Sequence, residues 1–251
     1  MKNPTLPLLV AALIALALVA GCGGGPVNHG VANAVKRALP DAVGPADSWD
    51  VDVTGNPGTI IQGRVPAVLI HGVNVRMSPQ LAMETLDITA TDVRVDIRKR
   101  ELKSIDSLTF VGTMTQDQVD QYLAATASSS KRPSGFAVKI GDADMGVAFK
   151  EKLSFVTIPI EVAGHLAVSS AGPDKVDFVP SKMSVASLNI PRQIVDIAVK
   201  QINPTIDLSE ISIPVSLKNI HIANHCIVFA GSAQIPKSAF EIAKRQTADA
   251  R

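Results

Sequence analysis

The chain has 251 residues, of which 24 are Lys or Arg and 23 are Asp or Glu, so its formal net charge is +1. This balance, together with a single Trp and a single Tyr, argues against nucleic-acid binding, which relies on clustered positive charge and stacking aromatic rings. The length suffices for one sizeable core or two small ones.

Residues 1–21 have the pattern of a secretory signal peptide. Lys2 precedes an apolar run from Leu6 to Ala20, which is too short to span a bilayer comfortably. The run ends in Val-Ala-Gly-Cys, which resembles the bacterial lipobox, where cleavage occurs before a cysteine that carries diacylglycerol. We therefore expect a lipidated Cys22 with acyl chains such as palmitate, and a flexible leash over residues 22–28. An ordinary signal peptide with an incidental cysteine is the alternative.

The cysteine count follows from that assignment. Once Cys22 is lipidated only Cys226 remains, so we expect no internal disulfide, and stability must come from burial.

The first predicted element of the mature chain is an amphipathic helix from His29 to Leu39, ending at Pro40. Its apolar face holds Val31, Ala34, Val35 and Ala38. The helix could lie on a membrane, but its polar face is not strongly basic, which favours packing on a sheet.

From Trp49 onwards the hydrophobic period changes to two, which predicts strands. After a turn at Asn56-Pro57-Gly58, one face of a long strand should carry Val65, Ala67, Leu69, His71, Val73, Val75 and Met77. A second long strand begins near Leu86, and its parity slips near Thr91 and Asp92, which suggests a β-bulge. A third strand, from Leu102 to Met114, completes an antiparallel meander.

The polar stretch from Thr126 to Gly135 is the best candidate for a boundary between two similar halves of a single domain spanning residues 29–251. Beyond it, the run from Leu153 to Ser169 keeps one parity with a bend at Gly164, and its length implies a tall, strongly curled sheet. Further strands are predicted at Phe136–Ile140, Met145–Phe149, Val176–Leu188, Val215–Ile222 and Ile227–Ala233.

A strand-then-helix unit is repeated. Ile190–Gln201 and Ile235–Gln246 match at Ile, Pro, Ile, Ala and Gln, and each places Pro at the first helical position. A fainter copy begins at Met114, where Thr115 and Gln118 form a capping-box pattern; chance could also produce this copy. The predicted fold class is α+β, with a long, strongly curled antiparallel sheet wrapped around short apolar helices.

Motifs for catalysis are absent from the sequence: it has no G-x-S-x-G, P-loop, G-x-G-x-x-G or paired-cysteine motif, so we expect no enzyme activity and no cofactor. His221 and His225 could ligate a metal only on an unbroken strand, and Asn224 favours a turn between them. His71 is expected in the core, with a polar anchor for a ligand head group as the alternative.

The cluster from Arg98 to Lys103, with or without Lys131 and Arg132, could meet anionic head groups. A solvated hairpin tip is the alternative interpretation.

Three segments resemble the LmeA-like phospholipid-binding family of bacterial envelope proteins: Thr59–Arg64, Phe110–Gly112 with its helix, and Ile202–Ser209. That family resembles the tubular lipid-binding proteins, in which a curved antiparallel sheet around helices encloses an apolar channel for lipid tails. The resemblance implies no catalytic residues. It implies that the channel is lined or supported by Leu69, Val73, Ile194, Val195, Ala198 and Ile202.

Two functions stay open on the sequence alone. One is a lipid-tethered envelope protein, facing the periplasm or the exterior, that binds or shuttles phospholipid or another acyl-chain lipid. The other is a structural or docking lipoprotein whose core is filled by its own side chains. An envelope hydrolase is disfavoured because no nucleophile-and-base pattern is visible.

Overall fold

The fold was analysed in a computed structural model of the protein, which describes residues 27–96, 101–126, 134–153, 156–184, 199, 202–209, 211 and 213–234. The helices whose bounds lie within the described residues are α1 (Val27–Ala42), α2 (Pro57–Ile61) and α3 (Gln116–Thr126). The strands are β1 (Ser48–Thr54), β2 (Arg64–Arg76), β3 (Ala82–Asp96), β4 (Glu101–Ser104), β5 (Ser107–Met114), β6 (Ser134–Ile140), β7 (Met145–Leu153), β8 (Val156–Val168), β9 (Lys175–Ser184), β10 (Ile206–Asp207), β11 (Val215–Ala223) and β12 (Cys226–Ala233).

The strands form two antiparallel sheets. The first has the order β1-β2-β3-β5-β12-β11, with β4 paired to β3, and the second has the order β10-β9-β8-β7-β6. The predicted antiparallel meander is confirmed, and the fold is mostly antiparallel β with a curled sheet and few short helices. The chain changes sheets between β5 and β6, and the last hairpin returns to the first sheet. The similarity of two halves stays a prediction.

The predicted apolar face of β2 is wrong in the middle of the strand. Val65 and Val75 are buried as expected, but between them the buried residues are Val68, Ile70 and Gly72, not Leu69 and His71. The parity changes at two levels of the sheet, at Pro66, which lies opposite Asp92 of β3, and at Asn74, and Asn74 and Asp92 adopt positive φ angles of 51° and 48°. Such left-handed residues rotate the following side chains to the other face.

The slip predicted on β3 near Asp92 is confirmed, but the β-bulge is not. Buried residues step from Ala90 to Val93, yet β2 and β3 keep one register from Arg64 opposite Arg94 to Arg76 opposite Ala82. No extra residue is therefore inserted in either strand. Both strands change faces together at the same level of the sheet.

Large and small side chains alternate across the inner face of the first sheet. Trp49, Gly72, Leu86, Gly112 and Phe229 are aligned across five strands. A Cβ on Gly72 would lie 2.4 Å from Cζ3 of Trp49, so only glycine leaves room for the indole. The single tryptophan is accommodated by the backbone of its neighbouring strand.

Helix α1 packs on the sheet, as predicted. The four expected apolar residues are buried, and so are Leu39 and Ala42. The helix continues past Pro40, where it was expected to end, because the N–H groups of Val43 and Gly44 close its last turn on the carbonyl of Leu39. Within the described residues, no helix has the length and apolar character needed to cross a bilayer.

The second sheet contains the long strand that the sequence predicted. Along β8, Ile160, Val162, Gly164 and Leu166 are buried on one face. Its pairing with β9 shifts register between Ala163 and Gly164, where a Cβ would lie 2.3 Å from the carbonyl oxygen of Val179. Gly164 therefore marks a close approach of two backbones, in agreement with the predicted bend.

The N-terminus of α3 forms half of the predicted capping box. The backbone N–H of Thr115 donates to Oε1 of Gln118 at 3.1 Å. The two stronger copies of the repeated unit, at 190–201 and 235–246, lie almost entirely outside the described residues.

Candidate functional site

Two adjoining cavities lie between α1, the inner face of the first sheet and the chain around residues 208–215. One has a volume of about 50 Å³ and the other about 40 Å³. They share four wall residues, Val43, Ile88, Leu108 and Ile213, so they lie side by side, and we call the pair the apolar seam. Its walls are apolar, with further contributions from Ala38, Leu39, Val68, Met83, Val93, Ile105, Phe110, Leu208 and Ile211.

The seam is narrow. A water molecule occupies about 30 Å³ of liquid, and a dry apolar cavity that accepts benzene measures about 150 Å³. Cavities of about 50 and 40 Å³ are smaller than that, so a lipid tail would have to displace wall side chains to enter. The lining can yield, because it includes flexible methionines such as Met77 and Met83.

A larger open trough of about 530 Å³ lies on the second sheet. Its floor is the row Val138, Val147 and Val162, whose side chains are buried toward the core. The flanking rows carry Ala137, Gly146, Ala148 and Ala163, together with the exposed Lys139 and Glu161. The trough arises because these small side chains leave the sheet uncovered, and charged groups stand on both sides of it.

Three of the six predicted channel residues lie in the described structure, and they have different environments. Ile202 is buried at 1% exposure, whereas Leu69 is 43% exposed on the face opposite to the one predicted. Val73 is half-buried, and Ile194, Val195 and Ala198 lie outside the described residues. Contact of these residues with lipid stays a prediction.

Sequence reasoning missed Ile213, which is one of the four residues that line both cavities. Its neighbours Ser212 and Pro214 interrupt any apolar period, so no pattern pointed to it. Ile88 and Leu108 were expected on strands, and in the structure they lie on the neighbouring strands β3 and β5, opposite Phe110 and Ala90 respectively.

The segment Ile202–Ser209, which carried part of the family resemblance, is held by polar contacts. The side chain of Asn203 accepts from the N–H of Phe178 at 2.9 Å and donates to its carbonyl at 3.0 Å, so it pairs with β9 as a strand would. The N–H of Asp207 donates to the Tyr122 hydroxyl at 3.0 Å, which ties the segment to α3. These contacts set the position of Leu208 in the wall of the seam.

Asp207, near the end of this segment, carries a charged carboxylate. Partial burial raises the pKa of Asp207, but hydrogen bonds from Ser209 and the charge of Lys175 outweigh burial and leave that pKa below its ordinary value of 3.8. The Ser209 N–H donates at 2.8 Å and the Lys175 ammonium lies 3.5 Å away.

A model of the LmeA-like phospholipid-binding family matches residues 24–232. The chain belongs to this family. No curated protein and no solved structure was found to match it. In this LmeA-like protein, the apolar seam and the trough are the two spaces described above that could receive an acyl chain.

The histidines offer this LmeA-like protein no metal site in the described chain. Asn224 and His225 have φ angles of 52° and 58° and form the turn between β11 and β12, as predicted. His71 was expected in the core, and this is wrong: its Nδ1 lies 2.6 Å from Oδ1 of Asp87 on the exposed face. Among the described residues, no group of three or more His, Cys, Asp or Glu side chains could hold a metal ion.

Proposed function

We propose that this protein is an envelope lipoprotein that binds or shuttles phospholipid, with an acyl chain held in the apolar seam and no catalysis. The observation that carries the proposal is a pair of adjoining cavities with apolar walls in a member of a phospholipid-binding family. Burial contributes about 0.8 kcal/mol per methylene, so part of one chain gives useful affinity. In this proposal the sheet and helices act as a tubular lipid-binding fold.

The alternative is a structural or docking lipoprotein whose core is filled by its own side chains. The small volumes of the seam, about 50 and 40 Å³, favour this second function. The two proposals differ in one observable, which is whether lipid accompanies the purified protein.

The test is native mass spectrometry with solvent extraction on protein purified without detergent from the envelope of a bacterial host. We expect one phospholipid for each chain. Ile88→Asp places a charge in the wall of the seam and should remove that lipid, because a buried unpaired charge is costly. Leu69→Asp is the matched control on the exposed face and should retain it.

Far-UV circular dichroism must show that both variants fold. Lipid retained by a folded Ile88→Asp variant would count against the seam. Loss of lipid from a folded Leu69→Asp variant would support the channel lining that the sequence resemblance implies. A wild-type chain that carries no lipid and refuses added phospholipid would support the structural alternative.

The anchor is a separate part of the proposal. Cys22→Ser should release the protein into the soluble fraction of lysed cells, because the acyl chains that give stable membrane binding are lost. Retention of Cys22→Ser in the membrane fraction would show that another feature holds the protein there.

A further inference from the structure

One end of the first sheet gathers an exposed apolar side chain and two basic ones. Ile61, at the end of α2, is 61% exposed, more than any other large hydrophobic residue of the described chain. Arg64 begins β2 three residues later, and Arg94 lies directly opposite it on β3. We call Ile61, Arg64 and Arg94 the basic rim.

The two arginines are exposed and lie opposite each other on neighbouring strands. Like charges at directly opposed positions of an antiparallel pair repel each other. The ion pairs found among the described residues include one nearby, between Lys103 and Asp96 at 3.1 Å, but none that involves Arg64 or Arg94. The rim is therefore suited to an external anion.

The charge of the surrounding sequence has the same sign. From Arg94 to Lys103 the chain carries five basic and two acidic residues, although the whole chain has a net charge of only +1. The sequence that follows Arg94 is therefore locally basic.

The N-terminus of the folded domain lies at the same end. The Asn28 side-chain amide donates to the carbonyls of Val53 and Gly55 at 3.1 and 3.2 Å, immediately before α2. Residue 22 is six residues earlier, a reach of about 20 Å even when fully extended. An acyl group on Cys22 would therefore hold this end, and not the opposite one, close to a bilayer.

The basic rim also adjoins the apolar seam. Val93, which precedes Arg94, lines one of the two cavities, and so does Ile105, which follows the Arg94 partner Ser104. A bilayer in contact with the rim would lie beside this end of the seam.

We propose that the basic rim is a membrane-docking surface for anionic phospholipids, with Ile61 inserted at the interface and Arg64 and Arg94 bound to lipid phosphates. This inference rests on the proposed function, because the purpose of docking is to present the seam to a bilayer. An exposed apolar residue beside cations is a combination that binds anionic membrane surfaces.

The experiment uses the full chain with Cys22→Ser and Cys226→Ser, so that neither an acyl anchor nor a native thiol interferes. An environment-sensitive fluorophore is attached at Ile61→Cys, and at Leu69→Cys as the exposed control. Vesicles of phosphatidylcholine, with or without phosphatidylglycerol, are then added. We expect a blue shift at position 61 with phosphatidylglycerol only, and none at position 69. No shift at position 61, or an equal shift at both positions, would overturn the proposal.

Charge reversal supplies the second arm. Arg64→Glu with Arg94→Glu should weaken binding to the phosphatidylglycerol vesicles at least about tenfold, because each basic residue near an anionic surface contributes substantially to attraction. Lys139→Glu with Lys150→Glu reverses two exposed charges on the second sheet and should change binding by less than about twofold. Equal effects of the two pairs in folded proteins would contradict the assignment.

The outcomes separate the two proposals. A co-purified lipid without vesicle docking would overturn the membrane-docking surface alone. Vesicle docking through the rim without any co-purified lipid would overturn the lipid-carrying function alone.

Discussion

The trough is larger than the apolar seam, whereas the seam has the more apolar walls. The trough, at about 530 Å³, is roughly the size of an ordinary ligand pocket, but it is open and flanked by Lys139 and Glu161. The two cavities of the seam are each about tenfold smaller, but the wall surface that they expose is apolar. An acyl chain gains free energy only from apolar surface removed from water. The comparison shows that volume alone is a poor guide to a lipid site.

The largest expected effect is the loss of bound lipid when a large side chain fills the seam, with the filled trough as the comparison. Ile213→Trp places an indole in both halves of the seam and should reduce extracted phospholipid per protein by more than about tenfold, since the lost burial of two methylenes already exceeds a tenfold change. Ala148→Trp fills the trough and should leave the lipid content unchanged. Phosphate analysis of solvent extracts provides the measurement. The reverse pattern would make the trough the site.

A smaller effect concerns packing, and it compares the two sheets with one substitution. Gly72→Ala places a methyl group 2.4 Å from the rigid Trp49 ring and should lower the free energy of unfolding by about 1–3 kcal/mol. Gly146→Ala meets its nearest atom only at 3.8 Å, so its effect should stay within about 0.5 kcal/mol. Urea unfolding measures both. Equal destabilisation would mean that the inner face of the first sheet is not the more tightly packed region.

A pH-dependent effect is expected at Asp207, beside the wall of the seam. Because the folded-state pKa is lowered, its ionised form contributes stability above pH 3.8 and loses that contribution as pH falls through the folded pKa. Asp207→Asn should therefore be less stable than wild type at neutral pH, and the difference should narrow below about pH 4. Urea unfolding at a series of pH values tests this. A difference independent of pH would show that the charge of Asp207 is not what matters.

The smallest effect is expected where the two sheets meet at their turns. Nε2 of His225 lies 3.0 Å from Oδ1 of Asp142, with side-chain exposures of 68% and 89%. Exposed ion pairs contribute little, so His225→Ala should leave thermal unfolding unchanged within error at neutral pH. A clear drop in the unfolding temperature would indicate that the turns are coupled more strongly than their exposure suggests.

Sequence patterns predicted the elements well and their faces less well. Alternation located β2, β3 and β8, and the buried face of α1 follows from its helical period. The prediction of the buried face of β2 was wrong because Asn74 on β2 and Asp92 on β3 adopt left-handed conformations, which no hydrophobic pattern reveals. A one-residue change of parity moves every following side chain to the other face.

The candidate site was less predictable than the fold. Ile213 joins the seam only because the chain after β10 crosses the inner face of a sheet formed earlier in the sequence. Such a contact depends on the return of β11 and β12 to the first sheet, and local periodicity carries no information about it. The family motif at Ile202–Ser209 indicated the region without indicating the contact.

The most direct test of the central claim is to locate the bound lipid itself. A phospholipid with a photoactivatable group near the end of its acyl chain is loaded into the protein, irradiated, and the modified peptides are mapped by mass spectrometry. The account predicts cross-links on β3 and β5 around Ile88 and Leu108, and near Ile213. Cross-links concentrated at Ala137, Ala148 and Ala163 would place the lipid in the trough and contradict it.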